Sequence, residues 1–274
     1  MIKIENLNKS YGNKVVLDNL KLNLEKPNIY ALVGPNGTGK TTLMDIIANF
    51  VKKDSGNVKI CGIDPRDFKV FKKLSYARSL NMLYDNLTGL DHLELAKGMM
   101  NVKDKEFKEA LDIFDVSKFM KRKVSTYSLG MRQKLLLTYF FIGDYDLYIM
   151  DEPVTGLDPS SIILLREYLQ YLKSKGKLII LSSHTLSEVD KTTNEILFLV
   201  NGKIQRENLL SFSVKYFKLK TDALLNYKKG NDCYLILDEE LDKAIRQVHS
   251  KNGKVISVER YLRSTEDRYK ELYV

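Results

Sequence analysis

Chemistry on phosphate is the first function that the residues imply, because one octapeptide combines glycines with a lysine and a threonine. Gly34-Pro-Asn-Gly-Thr-Gly-Lys-Thr41 matches the Gly-x-x-x-x-Gly-Lys-Ser/Thr loop, in which backbone N–H groups at a helix N-terminus cradle phosphates. Gly37 and Gly39 lack a Cβ, so the backbone can turn sharply and approach an anion closely. We expect Lys40 to reach the β- and γ-phosphates of a nucleotide and the Thr41 hydroxyl to complete the shell of Mg²⁺.

Two adjacent acids, Asp151 and Glu152, follow the apolar run Leu147-Tyr-Ile-Met150. Doubly wound sheets keep their ligand-facing residues at strand ends, so these carboxylates are predicted to face the phosphates. Asp151 would hold Mg²⁺ through water, and Glu152 would orient or deprotonate the attacking water. A strand followed by Asp-Glu can equally be a solvated turn. The position of the pair downstream of a phosphate loop favours the catalytic interpretation.

Apolar periodicity predicts the elements that position these motifs. Alternation from Ile2 to Leu24 predicts antiparallel strands with one wet face. Continuous apolar runs predict buried strands at 29–33, 146–150, 177–181 and 195–200. Helical spacing predicts helices at 40–50, within 90–122, and at 131–142, 160–173 and 185–190. Strands that alternate with helices imply right-handed crossovers and a parallel sheet, which makes the fold class α/β.

The alternation of buried strands and helices ends near Asn201-Gly202, and a second region of the chain begins there. We predict a large domain at 1–206, with a helical subdomain at about 79–143, and a small C-terminal α+β appendage at 207–274. The predicted elements of the appendage are strands at 212–219, 233–237 and 254–258, a helix at 239–250 and a short terminal helix.

Composition narrows the class of protein. Hydrophobic residues make up 44% of the 274 residues, which is enough for a sizeable core that needs no disulfide or metal cross-links. The net charge of +9 could serve nucleic acid or anionic lipid, but no basic tract is longer than Lys121-Arg122-Lys123, which favours a solvated face. Cys61 and Cys233 lack metal-ligand spacing and are interpreted as free thiols in a reducing compartment. We expect no signal peptide, and the apolar stretch 135–142 falls well short of the ~20 residues of a membrane helix.

Four further segments resemble ATP-binding-cassette (ABC) proteins, in unbroken order over residues 1–205. Tyr127-Ser-Leu-Gly-Met-Arg-Gln133 resembles the Leu-Ser-Gly-Gly-Gln signature, with Ser128 and Gly130 matching. Gly156-Leu-Asp158-Pro159 is similar to the D-loop of the family. Ser183-His184 lies where the family carries its switch histidine. Tyr11 is placed like the residue that stacks on adenine.

The resemblance implies a P-loop NTPase cassette with a parallel core sheet, an antiparallel β subdomain and a helical subdomain. It further implies an active site shared across a dimer, in which Ser128 and Gly130 grip the γ-phosphate held by the facing subunit. The implied cofactors are ATP and Mg²⁺, and the implied catalytic residues are Glu152, His184 and Lys40. The residues predicted to contact nucleotide are Tyr11, Gly34, Asn36, Gly37, Thr38, Gly39, Lys40, Thr41, Thr42, Ser128, Gly130 and Asp158. The predicted metal-associated residues are Thr41, Asp151 and Ser79.

Ser79 is a departure from the family pattern. Counting back from Asn86-Leu-Thr88, it occupies the place of a glutamine that touches Mg²⁺ and the membrane partner in the family. A serine hydroxyl is shorter than a glutamine amide. We therefore expect weaker coupling or slower turnover, with ATP binding retained.

The leading functional hypothesis is the motor subunit of an exporter. The chain carries one cassette, and its signature and the tail 255–272 resemble those of antibiotic, peptide and lantibiotic export ATPases. The expected partners are an integral membrane permease subunit and a second ABC ATPase subunit, at the inner face of the cell membrane, with no nucleic acid. Leu80, Met82, Leu83 and Tyr84 would receive a helix of the permease or form ordinary core. The alternatives are a soluble ABC ATPase acting on ribosome or DNA, and an importer motor.

Overall fold

The nucleotide-binding motifs lie on a framework of two sheets in the first of two compact units. The computed structural model describes residues 1–210, 216–229, 232–261 and 264–274. The first unit comprises Met1–Arg206 with Tyr273, and the second comprises Glu207–Leu272 with Val274. The strands that begin in the first unit are β1 (Ile2–Tyr11), β2 (Lys14–Leu24), β3 (Ile29–Val33), β4 (Ser55–Ile60), β5 (Leu74–Ala77), β6 (Leu147–Met150), β7 (Leu178–Ser182), β8 (Glu195–Val200) and β9 (Lys203–Asn208).

The central sheet has the strand order β5-β6-β7-β3-β8-β9. The neighbours β5–β6, β6–β7, β7–β3 and β3–β8 are all parallel, which confirms the predicted parallel core. Helices cover both faces of such a sheet, so its strands are apolar throughout. Every residue of β3, β6 and β7 is buried accordingly. The carboxyl ends of these strands meet at one edge, where the two predicted motifs follow β3 and β6.

A three-stranded antiparallel sheet, in the order β2-β1-β4, packs beside the central sheet. Its alternating residues bury one face only. Leu20 of β2 and Val58 of β4 share one hydrophobic core with Tyr30 of β3 and Leu178 of β7. This core holds the antiparallel sheet against the phosphate loop that follows β3.

Helices complete the first unit. They are α1 (Lys40–Ile47), α2 (Gly89–Met100), α3 (Asp104–Ile113), α4 (Leu129–Phe141), α5 (Pro159–Ser174) and α6 (Leu186–Thr192). The first of them ends earlier than predicted, because Asn49 adopts the left-handed region with φ 60°. Asn101 with φ 52° similarly separates α2 from α3. The fourth helix begins earlier than predicted because the Ser128 side chain caps it, accepting a hydrogen bond from Met131 N.

The second unit is a small α+β unit. Strands β10 (Tyr216–Thr221), β11 (Lys228–Lys229), β12 (Tyr234–Leu237) and β13 (Val255–Arg260) form a sheet in the order β11-β12-β10-β13. Helix α7 (Leu241–Ser250) buries Ala244 and Val248 in a core with Leu219 and Ile236. Helix α8 (Thr265–Tyr273) follows a capping box formed by Ser264 and Asp267. The predicted strand at 212–219 begins at Tyr216, and its residues 212–215 lie outside the described residues.

Across the described ranges, no helix is both long and apolar enough to cross a bilayer.

Candidate active site

An open cleft of about 480 Å³ lies at the carboxyl edge of the central sheet. Its lining combines an aromatic ring, the phosphate loop and the acidic pair, which lie far apart in the sequence. The lining residues are Tyr11, Lys14, Val16, Asn36, Gly37, Gly39, Lys40, Thr41, Thr42, Arg78, Asp151 and Glu152. Most of the predicted nucleotide contacts are thus brought to one cavity.

The phosphate loop depends on glycine at Gly39. This residue has φ +107°, and a Cβ on it would lie 2.4 Å from Val16 Cγ1. Helix α1 starts at the next residue, so its free N–H groups and the positive end of its dipole are directed into the cleft. Gly34 and Thr38 shape the loop from beside the cleft, with Thr38 Oγ1 donating to Pro35 O at 2.8 Å.

Lys40 is held in position by backbone carbonyls of its own loop. Its Nζ donates to Gly34 O at 2.7 Å and to Pro35 O at 3.1 Å, and the residue is 8% exposed. Burial lowers the pKa of Lys40, although the charges of Glu152 and Asp151 act in the opposite direction. A polyphosphate in the cleft would supply the anionic partner that this buried ammonium group requires.

Thr41 and Asp151 form the candidate Mg²⁺ site. The Thr41 hydroxyl donates to Asp151 Oδ2 at 2.7 Å, which joins the start of α1 to the end of β6. A hydroxyl beside a carboxylate fits Mg²⁺, which binds to one or two protein oxygens and completes its shell with water and phosphate. The second carboxylate oxygen, Asp151 Oδ1, accepts a hydrogen bond from the buried Ser182 at the end of β7.

Glu152 has an unusual backbone conformation and two bonds to the neighbouring strand end. Its φ is +51°, a left-handed conformation that costs about 1 kcal/mol outside glycine and that clusters at functional sites. Its Oε2 accepts a hydrogen bond from His184 N at 3.2 Å and lies 2.7 Å from His184 Nδ1. These contacts fix the carboxylate beside the residues that follow β7, and Glu152 also lines the cleft.

Ser182 Oγ ties the two acids together, because it also accepts a hydrogen bond from Glu152 N at 2.9 Å. Ser182→Ala should lower the free energy of unfolding by about 1–3 kcal/mol, since two partly buried polar groups, Asp151 Oδ1 and Glu152 N, lose a partner. It should also raise the Mg²⁺ concentration needed for half-maximal ATP hydrolysis. Urea unfolding and a Mg²⁺ titration measure the two effects.

Ser183→Ala is the matched control for Ser182→Ala. Ser183 is also buried, but its Oγ accepts from Thr185 N instead of contacting the acids. It should change stability without changing the Mg²⁺ requirement. An unchanged Mg²⁺ requirement in Ser182→Ala would contradict the proposed role of this serine.

The signature residues and Asp158 lie outside the lining of the cleft. Of the residues that the structure describes, Ser128, Gly130 and Asp158 are not among those that line the cleft. A Cβ on Gly130 would lie 2.9 Å from Gly156 O, so the signature packs closely against the segment that follows Glu152. Gln133 joins the same two segments by donating to Pro153 O at 2.8 Å.

Asp158 serves as the N-cap of α5. Hydrogen bonds from the Ser160 hydroxyl, Ser161 N and the Lys134 ammonium hold the pKa of this carboxyl well below its usual range. The side chain is thus committed to ordering its own helix. Asp158 does not line the cleft of its own chain, so its predicted contact with nucleotide stays a prediction.

Tyr11 is the last residue of β1. Its ring is 50% exposed and lines the cleft together with Val16. A flat, half-exposed ring that lines the cleft can stack on a base.

Ser79 does not line the cleft. Its side chain accepts a hydrogen bond from Asn81 N at 3.1 Å and caps the short 3-10 helix Leu80–Met82. The preceding residue, Arg78, lines the cleft instead.

The adjoining segment was predicted either to receive a helix of the permease or to form core. Its residue Leu83 is buried, whereas Tyr84 is 65% exposed. The segment that was predicted to receive a permease helix therefore contains both core and surface.

Sequence reasoning missed Arg78, Ser182 and Gln133. Arg78 directly follows the parallel strand β5, and Ser182 is the last residue of the parallel strand β7. A polar residue at the end of a parallel strand was the signal that could have identified both. Gln133 gave no signal besides its place in the signature.

Comparison with known proteins identifies the family. The model of the family described as ABC transporter matches residues 17–155. The lantibiotic transport ATP-binding protein SrtF of Streptococcus pyogenes is 37% identical over 84% of this chain and 100% of its own length. The bacitracin transport ATP-binding protein BcrA of Enterococcus faecalis is 33% identical over 76% of this chain and 68% of its own length.

Solved structures show the same fold. An ATP-binding subunit of an ABC transporter is 28% identical with a TM-score of 0.71, over 77% of this chain and 91% of that chain. A dimeric ATP-binding cassette, solved in a post-hydrolysis state with ADP and Pi, is 23% identical with a TM-score of 0.67, over 76% of this chain and 99% of that chain.

Proposed function

The chain belongs to the ABC transporter family of ATP-binding proteins, and from this premise we propose that it is the ATP-hydrolysing motor subunit of a membrane exporter. The membrane-spanning part would be a separate permease polypeptide. One observation carries the proposal: a single cleft gathers the phosphate loop, Asp151 and Glu152 at the edge of a parallel sheet. The relatives whose names include lantibiotic and bacitracin transport support an exporter of peptide, antibiotic or lipid-like substrates.

Hydrolysis would proceed chiefly by positioning and charge neutralisation. The loop amides and Lys40 bind the phosphates, and Thr41 with Asp151 would hold Mg²⁺, which neutralises the developing charge. Glu152 orients the attacking water and accepts its proton, and His184 keeps the carboxylate in place through its N–H and Nδ1. Tyr11, whose half-exposed ring lines the cleft, stacks on the base.

A second ATPase subunit would complete the site. Ser128 is exposed at the start of α4, whose positive end can attract a phosphate. Since Ser128 and Gly130 are absent from the cleft of their own chain, we propose that they reach the γ-phosphate held by a facing subunit. The dimeric state of a structure with the same fold supports this arrangement. Closure on ATP and reopening after hydrolysis would drive the permease between its states.

The compact unit Glu207–Leu272 supports a division of the chain into a cassette at 1–206 and an accessory region at 207–274. We place the protein at the inner face of the cell membrane, where ATP and the permease are both accessible. The role of the accessory region would be dimer support or regulation.

Purification of the tagged protein from its native membranes tests the exporter assignment. We expect recovery with an integral membrane protein, at a stoichiometry of two ATPase chains per transporter if the site is shared. The ATPase rate of this complex should change when the transported molecule is added. Recovery with ribosomes or DNA would overturn the proposal in favour of a non-transport ABC ATPase, and uptake by reconstituted vesicles would indicate an importer.

A further inference from the structure

We propose that Arg78 binds the terminal phosphate of the nucleotide, a role that no family motif quoted above assigns to this position. The inference rests on the proposed binding of ATP in the cleft. It replaces the expected contribution of position 79, where Ser79 caps its own 3-10 helix and does not line the cavity.

The sheet places Arg78 beside the candidate metal site. Strand β5 ends at Ala77, which pairs with Met150 of β6, and Asp151 N donates to Ala77 O at 2.9 Å. The residues that follow these two parallel strands, Arg78 and Asp151, therefore lie next to each other. Both line the cleft with Lys40 and Thr41.

The guanidinium group is held rigidly by helix α1. Arg78 Nε donates to Asp45 Oδ1 at 2.7 Å, and Nη2 donates to Asp45 Oδ2 at 3.0 Å. Asp45 is 4% exposed, accepts a further bond from the Tyr76 hydroxyl, and follows Thr41 by about one helical turn. A rigid anchor of this kind fixes the plane of the guanidinium group in advance and reduces the entropy lost on binding a ligand.

The free edge of the group remains available. None of the hydrogen bonds in the described part of the chain uses Nη1, and the Arg78 side chain is 42% exposed. A guanidinium group has donors only, so its ligand in the cleft must be an acceptor. Arginine cannot coordinate Mg²⁺, and it matches phosphate oxygens in charge and shape.

Position decides which phosphate it binds. Arg78 follows β5 directly beside Asp151, the residue that would hold Mg²⁺ next to the γ-phosphate. We therefore assign Arg78 to the γ-phosphate. The consequence is discrimination between ATP and ADP, because ADP lacks the group that Arg78 contacts.

The competing explanation is that Arg78 only neutralises the buried Asp45. Removal of Arg78 alone would then disturb α1 and weaken both nucleotides. The variants that separate the two explanations are Arg78→Gln, Arg78→Lys, Asp45→Asn and the double variant Asp45→Asn with Arg78→Gln. The double variant removes both charges and so leaves no buried unpaired carboxylate.

The dissociation constants for MgATP and MgADP, measured calorimetrically on the purified chain, provide the test. Arg78→Gln should weaken MgATP by about tenfold, as expected for one charge-assisted hydrogen bond, and MgADP by less than about twofold. Arg78→Lys should recover part of the loss. Asp45→Asn should bind MgATP at least as tightly as the native chain, and the double variant should retain the ATP-specific loss.

Equal weakening of MgATP and MgADP, or native MgATP affinity in the double variant, would overturn the inference. A native chain that binds neither nucleotide would instead overturn the proposed function, so the two failures are distinguishable. Thermal melting of every variant shows whether a loss of affinity follows a loss of fold.

Discussion

Replacement of Glu152 with glutamine should lower steady-state ATP hydrolysis by at least about a hundredfold, the usual contribution of a positioned general base. The amide has nearly the shape of the carboxylate and can still accept the hydrogen bond from His184 N, so the cleft should keep its geometry. It cannot accept a proton from water. ATP binding should therefore persist, and the ATP-bound dimer should accumulate because the step that reopens it is blocked.

The measurements for Glu152→Gln are phosphate release and the molar mass in solution with MgATP. A shift to twice the monomer mass with ATP, which ADP does not produce, is the expected result. Glu167→Gln is the matched control, since Glu167 is exposed on α5 and its replacement removes the same charge elsewhere. Hydrolysis at the native rate by Glu152→Gln would show that another group activates the water.

Replacement of Lys40 with alanine should weaken MgATP binding by about a hundredfold or more, because charge-assisted bonds to two phosphates disappear together. The structure supports a large effect. The ammonium group is buried in the phosphate loop and fixed there by bonds to Gly34 O and Pro35 O. Turnover should fall to background at any ATP concentration near the native requirement.

Calorimetry and an ATPase assay check the Lys40→Ala result. Lys108→Ala removes an exposed lysine of α3 and should leave both quantities unchanged. Melting temperatures separate lost binding from lost folding. Retention of native MgATP affinity by a folded Lys40→Ala variant would contradict the assignment of the cleft.

Local patterns in the sequence predicted the α/β fold class and its parallel core. Buried parallel strands need continuous apolar runs, and the runs before Gly34 and Asp151 could be recognised without any knowledge of their neighbours. Helix ends were predicted less well. Asn49 and Asn101 end helices through left-handed conformations, which residue type alone does not demand.

The site residues likewise include some that the sequence predicted and some that it did not. The phosphate loop is one continuous segment whose glycines, lysine and threonine are required together, so spacing alone predicts it. Arg78 and Ser182 carry no such spacing. Arg78 reaches the cleft, and Ser182 reaches the two acids, only because β5 and β7 flank β6 and end at the same level. The direct contribution of Ser79 remains a prediction, and its side chain is used to cap a 3-10 helix.

The sequence by itself determined which functional groups the chain carries: a phosphate-binding loop, two adjacent acids and a signature in the order typical of the family. Only the tertiary structure decided which of these meet. It placed the loop and the acids around one cleft and left Ser128 and Gly130 outside it. The physical reason is that sequence motifs specify local conformation, whereas the distance between motifs depends on strand order and on the packing of a core shared by distant segments.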